Sequence, residues 1–247
     1  MRHIVLPTLV LTSLACVEAP PPEPLEPFEV AEASITELGE AMAAGRVTSE
    51  ELVERYLARV EAYDQQGPAL NAIIALNPDA TDEARALDVE RAAGNVRGPF
   101  HGVPVLIKDN YDLAGMPTTN GSIALADLVP PDDGFQVRRL KDAGAVILGK
   151  TNMHEFARGI TTVSSVVGQT LNPYDTGRNP GGSSGGTGAA VAASFAAVGM
   201  GSDTCGSIRI PSAHNNLTGL RGTHGLSSRD GVFPLSHTQD IAGPMAR

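Results

Sequence analysis

Two glycine- and serine-bearing loops bracket an alanine-rich segment between Gly181 and Ser207. The first reads Gly181-Gly182-Ser183-Ser184-Gly185-Gly186-Thr187-Gly188, and the second Ser202-Asp203-Thr204-Cys205-Gly206-Ser207. Glycine has no Cβ, so such loops reach positive φ and bring backbone N–H groups close to a ligand. The chain must pack a helix, expected over Thr187–Val198, between two loops that present hydroxyls and N–H groups. That arrangement implies a backbone-built site for an anion or an oxyanion. A Gly/Ser linker is a poor reading, because Ala189–Val198 and Ile208–Pro211 are core-forming apolar sequence.

A phosphate cradle here would need a loop ending in Gly-Lys-Ser/Thr, or a Gly-x-Gly-x-x-Gly turn after a strand. No lysine follows the Gly181 loop, and no acidic ribose partner stands about 20 residues further on. An acyl-transfer site needs a nucleophile, a base and oxyanion donors. Ser207 supplies a hydroxyl with successive N–H groups beside it. None of the six histidines accompanies a Gly-x-Ser-x-Gly elbow, so the triad of that fold is not signalled. The remaining base candidate is Lys108, which closes the apolar run Val103–Ile107. A lysine at the end of a buried strand can be desolvated, lowering its pKa toward that of a usable base. Its alternative is a snorkelling strand-end residue.

At this point four segments carry a resemblance: Gly102–Asn110, Gly181–Gly186, Gly201–Pro211 and Gly243–Arg247. In this order they resemble the amidase signature family, which includes fatty-acid amide hydrolase, peptide amidases and the amidase subunits of amidotransferases. The likeness runs from about Ser34 to the last residue. It implies an α/β fold with a mixed twisted sheet flanked by helices, and amide hydrolysis without a cofactor. It places a Ser–cis-Ser–Lys triad on Ser207, Ser183 and Lys108. Thr204, Cys205 and Gly206 then fall on the oxyanion loop, and Ser184 becomes a supporting hydrogen-bonding residue. Cys205 departs from the family pattern of two glycines before the nucleophile. It is read as a tolerated small buried residue, with a modifier of the loop as the alternative.

Composition narrows the partners. A net charge of −10 with scattered Lys and Arg argues against a nucleic-acid surface. Two cysteines do not form a disulfide framework, and no metal-ligand spacing is present; His154 beside Glu155 reads as packing. The expected partner is a small-molecule amide. Residues 1–16 resemble a signal peptide: a short basic start, an apolar run too short to span a bilayer, and Ser13-Leu14-Ala15-Cys16, similar to a lipoprotein cleavage box. Residues 17–33 read as a Pro-rich acidic tether. The expectation is therefore an exported protein, lipid-anchored through Cys16 or freely secreted.

The domain proper is expected over 34–247. Capping-box spacing at Ser34/Glu37 and Thr48/Glu51 predicts two opening helices. Strands are expected at Ala72–Leu76, Val103–Ile107 and Ala145–Leu148, and helices at Asp82–Ala93 and Phe135–Ala143. Another helix is expected to start at Asn152–Phe156. Because the family continues beyond Gly243–Arg247, the resemblance implies an N-terminal part with an incomplete pocket. Two rivals to an amidase stand beside it: an amidotransferase subunit passing ammonia to a partner protein, and a non-catalytic binding protein.

Overall fold

The computed structural model describes residues 28–247. The signal segment and most of the Pro-rich tether lie outside them. Two helices open the chain, α1 at Ile35–Ala43 and α2 at Ser49–Tyr63, and each begins with the expected reciprocal capping box. Ser34 and Thr48 accept from the N–H groups of Glu37 and Glu51, whose carboxylates return to the capping N–H groups. A strand, β1 at Ile73–Leu76, and the helix α3 at Ala80–Ala92 follow. Then come β2 at Pro104–Lys108, α4 at Phe135–Asp142 and β3 at Val146–Thr151.

The polar stretch after β3 forms a small ribbon, β4 at Val163–Ser164 against β5 at Gly168–Gln169. The remaining elements are α5 at Gly185–Ala192, β6 at Val198–Asp203, α6 at Arg209–His214, β7 at Thr218–Gly219 and β8 at Ile241–Ala246. Six strands form a mixed sheet in the order β1-β3-β2-β6-β8-β7. The central three run parallel, while β1 and β8 pair antiparallel at their flanks. Every residue of β2, β3 and β6 is buried, as parallel strands covered on both faces must be.

Side chains alternate across β2. Leu106 joins a core with Leu38, Leu52, Tyr56, Ala189 and Ala190 from α1, α2 and α5. Val105 and Ile107 join a second core with Tyr111, Leu113 and Val137. The pairing of β2 with β3 slips by one residue, Val105 opposite Ile147 but Leu106 opposite Gly149. Beyond that bulge Thr151 pairs with Lys108 on the α5 side, where its hydroxyl meets Thr187 Oγ1 at 2.7 Å. Lys150 pairs with Ile107 on the other side.

Two expectations need correcting. The segment Thr187–Val198 is not one helix: α5 stops at Ala192, and Val198 already belongs to β6. The break is fixed at long range. Ser194 sits at φ 57°, its carbonyl accepts from Arg59 Nε at 2.9 Å, and its hydroxyl accepts from Glu32 N–H at 3.2 Å. No α-helix starts at Asn152 either; only a single 3-10 turn forms at Glu155–Ala157, with Phe156 at φ 52°. The N–H groups of Asn152 and His154 are committed to Ala72 O at 2.7 Å and Ser183 O at 3.0 Å.

Packing of α5 against β3 is backbone-close, because a Cβ at Gly186 would lie 2.1 Å from Asn152 O. Gly39, inside α1, has nothing within 4 Å of its would-be Cβ. The two glycines therefore predict opposite signs. Gly186→Ala should destabilise by about 1–3 kcal/mol or more through overpacking. Gly39→Ala should stabilise by about 0.5–1 kcal/mol through helix propensity. Urea denaturation of both variants measures each.

Candidate active site

Three chain segments meet at the C-terminal ends of the parallel strands, where open α/β sheets place their sites. Lys108, the last residue of β2, is fully buried. Its Nζ lies 2.8 Å from Ser183 Oγ and 2.9 Å from Ser202 Oγ. Ser183 stands in the loop entering α5, and the Gly182–Ser183 peptide bond is cis. Ser202 belongs to the end of β6, where Asn110 Nδ2 also donates to its hydroxyl at 3.0 Å. Burial pulls the Lys108 pKa down to about 7, against the opposing pull of the Asp203 and Asp240 carboxylates.

Ser184 ties the two glycine loops together. Its N–H donates to Ser207 O at 3.2 Å, and its hydroxyl lies against the backbone of Ser202, 3.2 Å from O and 3.3 Å from N. Ser207 is buried at the tip of the second loop. The hydrogen-bonded chain from Lys108 reaches Ser183, and the tie to Ser207 runs through its carbonyl rather than its hydroxyl.

The Ser207 loop is shaped by a buried carboxylate. Asp203 accepts the N–H groups of Gly206 at 2.8 Å, Ile208 at 3.0 Å and Arg209 at 3.3 Å. Arg209 and Arg221 add their guanidinium groups at 3.2 and 3.0 Å. Burial works against this charge, but the Arg209 side chain and the backbone donors outweigh it and hold the carboxyl below its usual range. The Gly206 N–H is therefore engaged by Asp203 in this structure. Cys205 is exposed, not buried, which corrects the reading of its thiol as a small core group. Thr204 Oγ1 donates to Asp240 Oδ1 at 2.5 Å, and Asp240 Oδ2 accepts from Leu235 and Ser236 N–H at 2.8 Å.

The amidase family profile matches residues 51–247, most of the chain. The chain belongs to the amidase family. It is 47% identical over 212 residues to a glutamyl-tRNA(Gln) amidotransferase subunit of Acidothermus cellulolyticus, matching 85% of this chain and 41% of that protein. A peptide amidase structure from Stenotrophomonas maltophilia superposes with a TM-score of 0.87 at 50% identity, covering 90% of this chain and 46% of that one. A fatty acid amide hydrolase structure aligns with a TM-score of 0.82 at 29% identity, over 88% and 39% of the two chains. The chain thus spans under half the length of the relatives it matches.

Several contributors to this candidate site are not distinguished by the sequence alone. Ser202 and Asn110 lie inside the motifs, but nothing in their spacing shows that both reach toward Lys108. The Asp203 carboxylate, one residue into the second loop, carries a usable signal: an acid just before a helix start that bears Arg209. Lys150 gives none. It is fully buried, with Nζ 3.1 Å from Asp109 Oδ1, 2.8 Å from Pro117 O and 2.9 Å from Thr118 Oγ1. Asp109 in turn accepts from Thr119 Oγ1 and from Gly121 N–H, fixing the turn that follows Lys108.

Gly144–Thr151 does satisfy the spacing of a phosphate-binding loop, away from the Gly181 loop. The structure gives it no cradle. Val146–Thr151 is the buried strand β3, laddered between β1 and β2, and its lysine faces a carboxylate. Among the described residues no group of three or more His, Cys, Asp and Glu side chains could hold a metal ion. His154 packs its ring over Gly159 and faces Thr161 Oγ1 at 3.4 Å.

The two lysines predict different behaviour. Lys150→Met leaves Asp109 buried without its counter-charge and should cost about 3–5 kcal/mol, much of it recovered by adding Asp109→Asn. Thermal and urea unfolding of the single and double variants check this. Lys108 titrates near 7 in the folded chain and near 10.5 when unfolded. Between those values the unfolded chain binds more protons, so this group makes stability rise with pH, by about 1.4 kcal/mol per unit at most. In Lys108→Met that contribution vanishes. Its unfolding free energy should exceed wild type most below pH 7, where the excess is level, and the excess should shrink as pH rises from 7 toward 10.

Proposed function

We propose that the chain carries the nucleophile, relay and base of a serine amidase that hydrolyses a carboxamide to a carboxylate and an amine or ammonia. The single observation behind this reading is Lys108, buried without a carboxylate in contact among the described residues and 2.8 Å from Ser183 Oγ. Ser207 Oγ attacks the carbonyl carbon. Its proton passes to Ser183, whose own proton passes to neutral Lys108. The resulting ammonium returns a proton through Ser183 to the departing nitrogen as the C–N bond breaks. Water then attacks the acyl-enzyme, using the same relay, and regenerates Ser207.

The developing oxyanion is taken by N–H groups of Thr204, Cys205 and Ser207, since that of Gly206 is held by Asp203. Ser184 supports the reading by keeping the two loops in register. The mechanism calls on no cofactor. A small-molecule amide is the proposed substrate, and a panel of simple, aryl, fatty and peptide amides would define its class.

Similarity to a glutamyl-tRNA(Gln) amidotransferase subunit favours a second reading, in which released ammonia passes to a partner protein. Export through residues 1–16 would separate the chain from that chemistry. Mass spectrometry of the N-terminus from cells distinguishes the two. An acylated Cys16 supports the exported amidase, and an intact Met1 on cytosolic protein supports the partner-bound one.

A fluorophosphonate probe tests the machinery without requiring the natural substrate. It should label Ser207 in wild type and not in Ser207→Ala. Lys108→Ala should slow labelling by about 10²–10⁴-fold. The rate should rise with pH through about 7 and level off above it, as Lys108 becomes neutral. A flat profile from pH 5 to 9, or wild-type labelling in Lys108→Ala, overturns the assignment. Cys205→Gly should label within about tenfold of wild type. A loss beyond about 100-fold, the scale of one oxyanion donor, would give the thiol a task of its own.

A further inference from the structure

Asn110 has no role in the relay described above, yet it is buried and reaches the same hydroxyl as Lys108. Its orientation is fixed by its surroundings. The Nδ2 group faces Ser202 Oγ at 3.0 Å and Phe233 O at 3.4 Å, and a carbonyl oxygen in that place would oppose the Phe233 carbonyl. Its backbone carbonyl accepts from Phe233 N–H at 2.7 Å. The amide is therefore clamped between the Phe233 backbone and the end of β6. Its Oδ1 is buried without a hydrogen-bond partner among the described residues.

The consequence falls on Lys108. An ammonium group is stabilised by every acceptor that turns a lone pair toward it, and a neutral amine is not. Ser202 offers one of the two side-chain oxygens that Nζ touches. Donation from Asn110 occupies part of that oxygen's acceptor capacity and weakens its support for a charged lysine. The amide also fills the place of an isosteric carboxylate, whose negative charge one hydroxyl away from Nζ would favour the ammonium.

We propose that Asn110 is a positioning residue for Lys108, acting through Ser202 to hold the base in its neutral form. The proposal rests on the reading of Lys108 as the base. Other charged groups around Nζ are already accounted for. Asp203 at the end of β6 is paired with Arg209 and Arg221, and Asp240 before β8 is engaged by Thr204 and two N–H groups, yet both still pull the Lys108 pKa upward against burial. Asp109 is paired with Lys150 across the β2–β3 pair, and His154 after β3 faces Thr161. Asn110 is the remaining polar side chain bonded to the same hydroxyl as the lysine.

The chain has three lysines, Lys108, Lys141 and Lys150, so each can be followed separately by NMR in protein labelled with ε-13C lysine. The full chain is titrated as wild type, Asn110→Asp, Asn110→Ala, Ser202→Ala and Asn110→Ala/Ser202→Ala. Circular dichroism serves as the control for intact folding. The expected result is a Lys108 transition raised by at least one pH unit in Asn110→Asp, a tenfold change in proton affinity. Asn110→Ala should raise it by less, and that increment should disappear in the Ser202→Ala background.

An unmoved Lys108 transition in folded Asn110→Asp overturns the proposal. So does an Asn110→Ala increment that survives unchanged when Ser202 is absent. A wild-type Lys108 that titrates near 10 instead removes the base reading itself, which separates that failure from a failure of Asn110.

Discussion

The structure depends on keeping an amine in a place where an ammonium is penalised. Lys108 has no carboxylate in contact among the described residues; its nitrogen meets two serine hydroxyls inside a sheet buried on both sides. Taking a charge out of water without a partner is expensive, and a lysine so placed yields its proton instead. The acids of the neighbourhood each have their own cationic or backbone partners: Asp109 has Lys150, Asp203 has Arg209 and Arg221, and Asp240 has Thr204 and backbone N–H groups.

The second dependency is backbone-to-backbone closeness. The loop entering α5 has to approach β3 and α6 at distances that leave no room for a Cβ. Gly186 abuts Asn152, Gly185 abuts Thr162, and Gly181 abuts Pro211. Gly181 also takes φ 77°. The glycine richness of the sequence is thus largely a packing requirement. It lets the Lys108 amine and the Ser183 and Ser202 hydroxyls converge from three separate segments, while Asp203 takes part of the second loop's N–H groups.

What is legible in the sequence are features decided within a few residues. Capping boxes at Ser34 and Thr48, the apolar β2 ending in Lys108, and the arrest of α3 before Gly94 all have local causes, and all are present. The mixed α/β architecture is legible for the same reason, with the family likeness adding which serines to watch. The rest has distant causes. Nothing near Ser194 announces that Arg59 and Glu32 will end α5 there. Nothing near Gly206 shows which way its N–H turns, because that depends on Asp203 being sealed in by two arginines. Lys150, in a Gly-Lys-Thr sequence at the end of a strand, gives no hint that it is buried.

The extra residue in β3 has a consequence for inheritance of this site through insertions and deletions. Side-chain direction along a strand is a matter of odd and even, and the slip opposite Val105–Leu106 changes that parity just before Lys150. It sends the two buried lysines to opposite sides of the sheet, one to a carboxylate and the other to hydroxyls alone. Were the same residues paired in unbroken register beyond Ile147, Lys150 would stand opposite Lys108 and those neighbourhoods would be exchanged, whereas removing the extra residue leaves Lys150 opposite Ile107. In that unbroken register Thr151 would turn away from α5, and a second lysine would arrive on the side where Lys108 is kept neutral. A change that looks harmless on a strand diagram would then act as an electrical miswiring.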